Sequence, residues 1–117
     1  MPLPRPLPDR LAGLIACRFR ALAEPARVKL LDHLRDGEAS VQELTDALGT
    51  SQQNVSQHMA MLHQAGIVKR RKEGNFVRYE IADPGILTMC EQVCGSLQRD
   101  IGDLHAMLGA GVSGPGA

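Results

Sequence analysis

Apolar residues recur at helical spacing along most of this chain, and the pattern gives way to alternation once, between Ile67 and Ile81. Leu11, Leu14, Ile15 and Leu22 predict a first helix over residues 9–22. A second is predicted to start at Pro25, a favoured first-turn residue, and to run to about Arg35, where Asp36 and Gly37 end it. Ser40 followed at three residues by Glu43 has capping-box spacing and opens a short third helix whose apolar side is Val41, Leu44, Ala47 and Leu48. Gly49 stops it. Thr50 or Ser51 caps a fourth helix that buries Val55, Met59 and Leu62, while Gln52, Gln53, Ser56, Gln57 and His58 largely stay outside. Gly66 is a good C-terminal cap for that helix.

Residues 67–71 and 76–81 then read as short strands, separated by Lys72, Glu73, Gly74 and Asn75, and together predict a β-hairpin. Asp83 and Pro84 restart a helix that carries a long apolar stripe of Ile86, Cys90, Val93, Cys94, Leu97, Ile101, Leu104 and Leu108. The expected fold is mainly α with a small β-hairpin, in the order α-α-α-α-β-β-α. Two short helices hinged at Gly49 make a helix-turn-helix, and the hairpin after them is its wing. Residues 1–8, with four prolines, are expected to be disordered. Residues 9–108 are expected to form one DNA-binding and dimerisation domain, and 109–117, with four glycines, a flexible tail.

A winged helix-turn-helix points to double-stranded DNA. Side chains at the start of a recognition helix reach base edges in the major groove, where Gln suits adenine and Ser adapts to several partners. Ser51, Gln52, Gln53, Ser56, Gln57 and His58 are the candidates on the helix. Lys69, Arg71, Lys72 and Arg78 are the candidates on the wing, for phosphates or the minor groove. The competing reading is a merely solvated polar face, and the agreement of helix order, turn and wing weighs against it.

Composition narrows the picture. The 117 residues suit one small domain, and 44% hydrophobic with 3% aromatic content implies a core of Leu, Ile, Val, Ala and Met. A domain this small buries a limited share of its surface, so a second copy is the natural cover for a leftover apolar helix. Thirteen Lys and Arg balance thirteen Asp and Glu, which argues against a generic polyanion binder. The stretch from Lys69 to Glu80 nevertheless concentrates five cations against two anions. No apolar run has the length of a membrane span and the N-terminus lacks signal-peptide character, so the expected location is the cytoplasm, with no membrane partner. No nucleophile-base pairing, phosphate-cradling glycine loop or metal-hydrolase motif occurs, so no enzyme activity and no organic cofactor are expected.

The order of elements and several local strings resemble the ArsR/SmtB family of bacterial winged helix-turn-helix repressors. Phe19 to Leu31 (FRALAEPARVKLL) is similar to the family's opening "ALADPTRLRIL" pattern, and Thr50 to Met59 (TSQQNVSQHM) to its "SQPAVSRHL" recognition helix. Leu62 to Val68 (LHQAGIV), with Arg71, Lys72, Glu73, Gly74 and Tyr79, is similar to its "L..AGLV..RREGR...Y" passage into the wing. The resemblance covers residues 16–108. It implies a homodimer joined through the first and last helices, binding an imperfect palindrome in an operator and leaving it when an inducer binds. Gln57 and Met59 stand where the family usually has a basic residue and a leucine, a departure that bears on base preference.

Three cysteines, an odd number, do not suggest a disulfide framework. Cys90 and Cys94, at i and i+4, share one helix face with Cβ atoms ~5–6 Å apart, so a single ion could bridge them. In the family the first helix packs beside the last at the dimer interface, which would let Cys17 supply a third thiolate from the same or the partner subunit. The family's other sites are missing: Glu43-Leu44-Thr45-Asp46 stands where some sensors have Cys-x-Cys, and Asp83 is followed by Pro84 and Gly85 rather than completing the Asp-x-His of zinc sensors. Soft thiolates at Cys17, Cys90 and Cys94 favour As(III) or Sb(III) as inducer, ahead of other thiophilic ions such as cadmium, lead, mercury or Cu(I). A thiol-redox or persulfide switch and a ligand-independent winged-helix DNA binder are the alternatives, and cysteines inert in a dimer seam are the bland reading. Among the histidines, His58 is expected near DNA, His33 and His63 at surface or helix-end positions, and His105 in solvent.

Overall fold

The structure is a computed structural model that describes residues 1–109. In chain order it comprises α1 (Asp9–Ala21), α2 (Pro25–His33), a single 3-10 turn (Leu34–Asp36), β1 (Ala39–Ser40), α3 (Val41–Leu48), α4 (Gln52–Gln64), β2 (Val68–Glu73), β3 (Phe76–Ile81) and α5 (Pro84–Leu108). This is the expected winged helix-turn-helix, with one addition. β1, two residues long, precedes the third helix and joins the hairpin in an antiparallel sheet of order β1-β3-β2. Nothing in the alternation of Ala39 and Ser40 marks a strand, because two residues hold a single period and cannot show a repeat.

Two compact units divide the chain, one over Met1–Asp83 and one beginning at Pro84. The core of the first unit is aliphatic: Leu30, Leu31 and Leu34 from α2 and its 3-10 extension, Leu44 from α3, Val55, Met59 and Leu62 from α4, and Ile67 and Val68 at the start of the hairpin. Tyr79 closes it from β3. Thr45 is also buried, on the same side of the helix as Val41, Leu44 and Leu48, and its hydroxyl donates to the Val41 carbonyl at 2.7 Å, which satisfies it without leaving the helix. Ala47, expected on the apolar side of α3, is instead exposed.

Local chemistry sets the boundaries. The Ser40 hydroxyl accepts from the Glu43 backbone N–H at 3.1 Å and donates to the Glu43 carboxylate at 3.2 Å, so the cap of α3 is reciprocal. Gly49 ends α3 in the left-handed conformation, φ 68°, and Ser51 caps α4 through a 3.1 Å bond from the Asn54 N–H. α2 stops at His33, two residues short of the expected Arg35, because its last turn tightens into the 3-10 segment.

The hairpin is longer and tighter than the sequence predicts. β2 starts at Val68 rather than Ile67 and extends to Glu73, leaving only Gly74 and Asn75 as the turn. Ile67 is withheld from the strand ladder: its N–H donates to the Leu62 carbonyl at 3.0 Å, and its own carbonyl accepts from Ala82 at 2.9 Å. Gly74 has φ 59° while Asn75 does not have positive φ, the sign pattern of a II′ turn with glycine first. Glu73 pairs with Phe76, Arg71 with Arg78, Arg70 with Tyr79 and Lys72 with Val77.

Met1–Pro8 forms no helix or strand and is exposed throughout, while the expected tail at 109–117 lies outside the described residues from 110 onward. In the second unit α5 runs 25 residues as expected. Ile86 is buried and Cys90 and Ile101 are half-buried, whereas Val93, Cys94, Leu97, Leu104 and Leu108 are exposed. No helix among the described residues is long and apolar enough to cross a membrane.

Candidate nucleic-acid interface and cysteine pair

α4 presents two kinds of polar residue. The side chains of Gln53, Ser56 and Gln57 are exposed and, among the described residues, form no hydrogen bond within the protein. Gln53 and Gln57 lie on the side away from Val55, Met59 and Leu62, and Ser56 on the flank, as the 3.6-residue period requires. The other three helix candidates are held internally. Ser51 spends its hydroxyl on the cap, and the Gln52 side-chain amide donates to the Gln42 side chain, which in turn donates to Asp46 at 2.9 Å. His58, expected to face outward, is half-buried and sits 3.3 Å from an Arg27 guanidinium nitrogen through Nδ1. Since guanidinium only donates, Nδ1 is the acceptor in this contact. Arg27 also donates to the Ala21 carbonyl at 2.7 Å and so ties α1, α2 and α4 together.

Strand alternation divides the wing's cations between two faces. Lys69, Arg71 and Arg78 share one face with Glu73 and Glu80. Arg71 reaches Glu38 at 2.5 Å and Glu73 at 2.7 Å. Arg78 lies 3.6–3.9 Å from Glu73, Glu43 and Glu38, and Lys69 is 3.9 Å from Glu80. The hydrogen bond that Arg71 donates to Glu38, followed by the one it donates to Glu73, raises the Arg71 pKa above its already high ordinary value. This carboxylate company is what the reading of charge along the sequence missed, because Glu38 belongs to the approach to α3 and Glu43 to its first turn rather than to the wing.

Arg70 and Lys72 occupy the opposite face with Val68, Val77 and Tyr79. Both are exposed and, among the described residues, have no ionic or hydrogen-bonding partner. Lys72 was an expected DNA contact; Arg70 was not. The signal that finds it is register, because a two-residue turn at Gly74 and Asn75 fixes Arg71 opposite Arg78 and therefore Arg70 opposite Tyr79.

All three cysteines are free thiols, with Cys17 and Cys94 exposed and Cys90 half-buried. Cys90 and Cys94 stand one turn apart on α5. Among the described residues of one chain, no three His, Cys, Asp or Glu side chains gather into a group that could hold a metal ion. His105, expected in solvent, is half-buried, and its Nε2 is buried without a hydrogen-bond partner among the described residues.

Residues 24–70 match the family described as "Bacterial regulatory protein, arsR family". Rv0081 of Mycobacterium tuberculosis, an HTH-type transcriptional regulator, is 36% identical over 91 residues, which cover 77% of this chain and 80% of that protein. Its crystal structure aligns with a TM-score of 0.72 over 82% of this chain and 97% of that one. This chain belongs to the ArsR family. It is therefore a DNA-binding transcriptional regulator and not an enzyme. KmtR, an HTH-type transcriptional regulator of Mycobacterium tuberculosis, is 41% identical over 78 residues, 67% of this ArsR-family chain but only 60% of KmtR. The crystal structure of the AntR antimony-specific transcriptional repressor is similar at 31% identity and a TM-score of 0.70, over 80% of this chain and 85% of that one.

Proposed function

We propose that this ArsR-family regulator is a cytoplasmic homodimeric repressor, joined through α1 and α5, that holds an imperfect palindrome and releases it when a thiophilic metalloid, As(III) or Sb(III), binds cysteine thiolates. The row of free, exposed Gln53, Ser56 and Gln57 on a helix fixed by the Ser51 cap carries the DNA half of the reading. Such side chains reach base edges from a major groove, and the wing reaches the flanking backbone. Two copies would supply two recognition helices, which is what a palindrome asks for.

The inducer half rests on Cys90 and Cys94, two free thiols on one face of α5. Softness of the sulfur donors favours a thiophilic ion, and the Asp-x-His of the family's zinc sensors is missing at Asp83, Pro84 and Gly85. Cys17 is the third ligand we assign, contributed where two chains meet, because one chain gathers no three-ligand group among its described residues. The likeness to an antimony-specific repressor supports this choice of inducer. A ligand that binds the free dimer ~100-fold better than the DNA-bound dimer supplies about 2.7 kcal/mol of coupling, enough to empty an operator.

Titration of the reduced protein on its own promoter fragment, followed by fluorescence anisotropy, tests the proposal. Release by near-stoichiometric As(III) or Sb(III) with Zn(II) inert is the expected result, and the Cys90→Ser, Cys94→Ser double variant should stay bound. Retention of As(III) release by that variant would remove the cysteines from the mechanism. The exposure of Cys94 beside Cys90 favours one second reading, a thiol-redox or persulfide switch, in which only a persulfide donor releases the DNA.

A further inference from the structure

Resting on the DNA-binding reading, we infer that the groove between α4 and the hairpin seats one sugar-phosphate strand of the duplex, and that Arg70 is the cation that holds it. The groove has a volume of about 380 Å³ and is walled by Ser56 and Ala60 on α4 and by Arg70, Val77 and Tyr79 on the hairpin. Adjacent major and minor grooves of B-form DNA are separated by a single sugar-phosphate strand. A protein with α4 in the major groove and a wing over the neighbouring minor groove must straddle that strand. What lies between the two elements here is this groove.

The charges agree with that placement. The cations of the hairpin face opposite Arg70 are already engaged: Arg71 by Glu38 and Glu73, half-buried Arg78 by Glu38, Glu43 and Glu73, and Lys69 by Glu80. Phosphates reaching Arg71 or Arg78 would meet carboxylates of their own sign first. Arg70 is on the other face, lines the groove, and has no competing partner among the described residues. Lys72 continues the same face two residues nearer the tip. A planar guanidinium offers five donors in a fork that fits phosphate oxygens, and the Ser56 hydroxyl on the facing wall is a further donor. The wing's contribution to DNA affinity therefore comes from Arg70 and Lys72, and Arg71 and Arg78 serve to fasten the wing to the approach of α3.

The test is the salt dependence of binding by the full chain, measured by anisotropy on a labelled duplex from upstream of its own coding sequence and on a scrambled duplex. Each phosphate neutralised contributes about 0.9 to the slope of log affinity against log salt. Arg70→Gln is expected to lower that slope by about 0.9 on both duplexes, and Arg70→Lys to restore it. Arg71→Gln is expected to keep the wild-type slope. Unfolding is not the explanation of a loss if Arg70→Gln melts with the wild type, as a residue without an internal partner should. An unchanged slope in Arg70→Gln, or an equal loss in Arg71→Gln, would overturn the inference while leaving the DNA-binding reading intact. If wild-type protein shows no salt-dependent binding to either duplex, both fail together.

Discussion

The Arg18 guanidinium of α1 and the Asp83 carboxylate at the end of the first unit form an ion pair across 65 positions of sequence. The same guanidinium lies against Gly66, the residue that turns the chain out of α4, so close that a Cβ built there would stand 3.0 Å from it. Gly66 has φ 78°, a conformation that side chains disfavour. One arginine thus lies beside the end of the recognition helix and binds the residue that follows the wing.

Gly66→Ala should therefore destabilise by about 1 kcal/mol from the backbone alone, with a further loss from displacing Arg18. Asp83→Asn should lose no more than about 1 kcal/mol, since the pair is partly exposed and water screens it. Urea unfolding checks both, and equal midpoints for Gly66→Ala and wild type would contradict the contact.

The two caps should differ in worth. Ser40 is buried and bonds Glu43 twice, whereas Ser51 is exposed and bonds Asn54 once. Ser40→Ala is expected to lose about 1–2 kcal/mol and Ser51→Ala about 0.5–1 kcal/mol. Thermal unfolding should rank the melting temperatures wild type, Ser51→Ala, Ser40→Ala, and the reverse order of the two variants would count against the reciprocal cap.

Arg27 and His58 should be coupled. Arg27→Ala removes the bonds to the Ala21 carbonyl and to His58 Nδ1, at an expected loss of about 1–2 kcal/mol. A double-mutant cycle with His58→Ala should show non-additivity of about 0.5 kcal/mol or more, as touching residues do. Strict additivity would place His58 back among the outward residues of α4.

Orientation of α4 can be checked with two methionines two residues apart. Met59 is fully buried and Met61 is 46% exposed. Met59→Ala should lose about 2–5 kcal/mol, and Met61→Ala should stay within about 0.5 kcal/mol of wild type. Similar losses at both would mean that the helix is rotated about its axis.

Period and capping made most of the fold legible. The 3.6-residue spacing of Val55, Met59 and Leu62 places the buried side of α4, and Ser40 with Glu43 marks the start of α3 to the residue. β1 escaped because its pairing with Arg78 and Tyr79 is a tertiary fact that two residues cannot announce. The interface was half legible. Gln53, Ser56 and Gln57 could be picked out by phase, but phase does not reveal that Arg27 claims His58 or that Gln42 claims Gln52. On the wing, counting cations could not rank five residues and left Arg70 out of the expected contacts, and only their division between two strand faces separates Arg70 from Arg71. Strand alternation and turn length already contain that division; the acidic partners at Glu38 and Glu43 come from outside the hairpin and could be seen only once folded.

Ser40 belongs to two elements at once. Its backbone pairs with Arg78 of β3, and its hydroxyl caps the helix that braces α4. The base of the hairpin is therefore tied to the helix-turn-helix through one residue. In a protomer built this way the recognition helix and the wing act as the two jaws of one caliper. A duplex whose groove spacing departs from that gauge has to bend or twist to fit, and the stiffness of its sequence, at steps no side chain touches, becomes part of what is recognised.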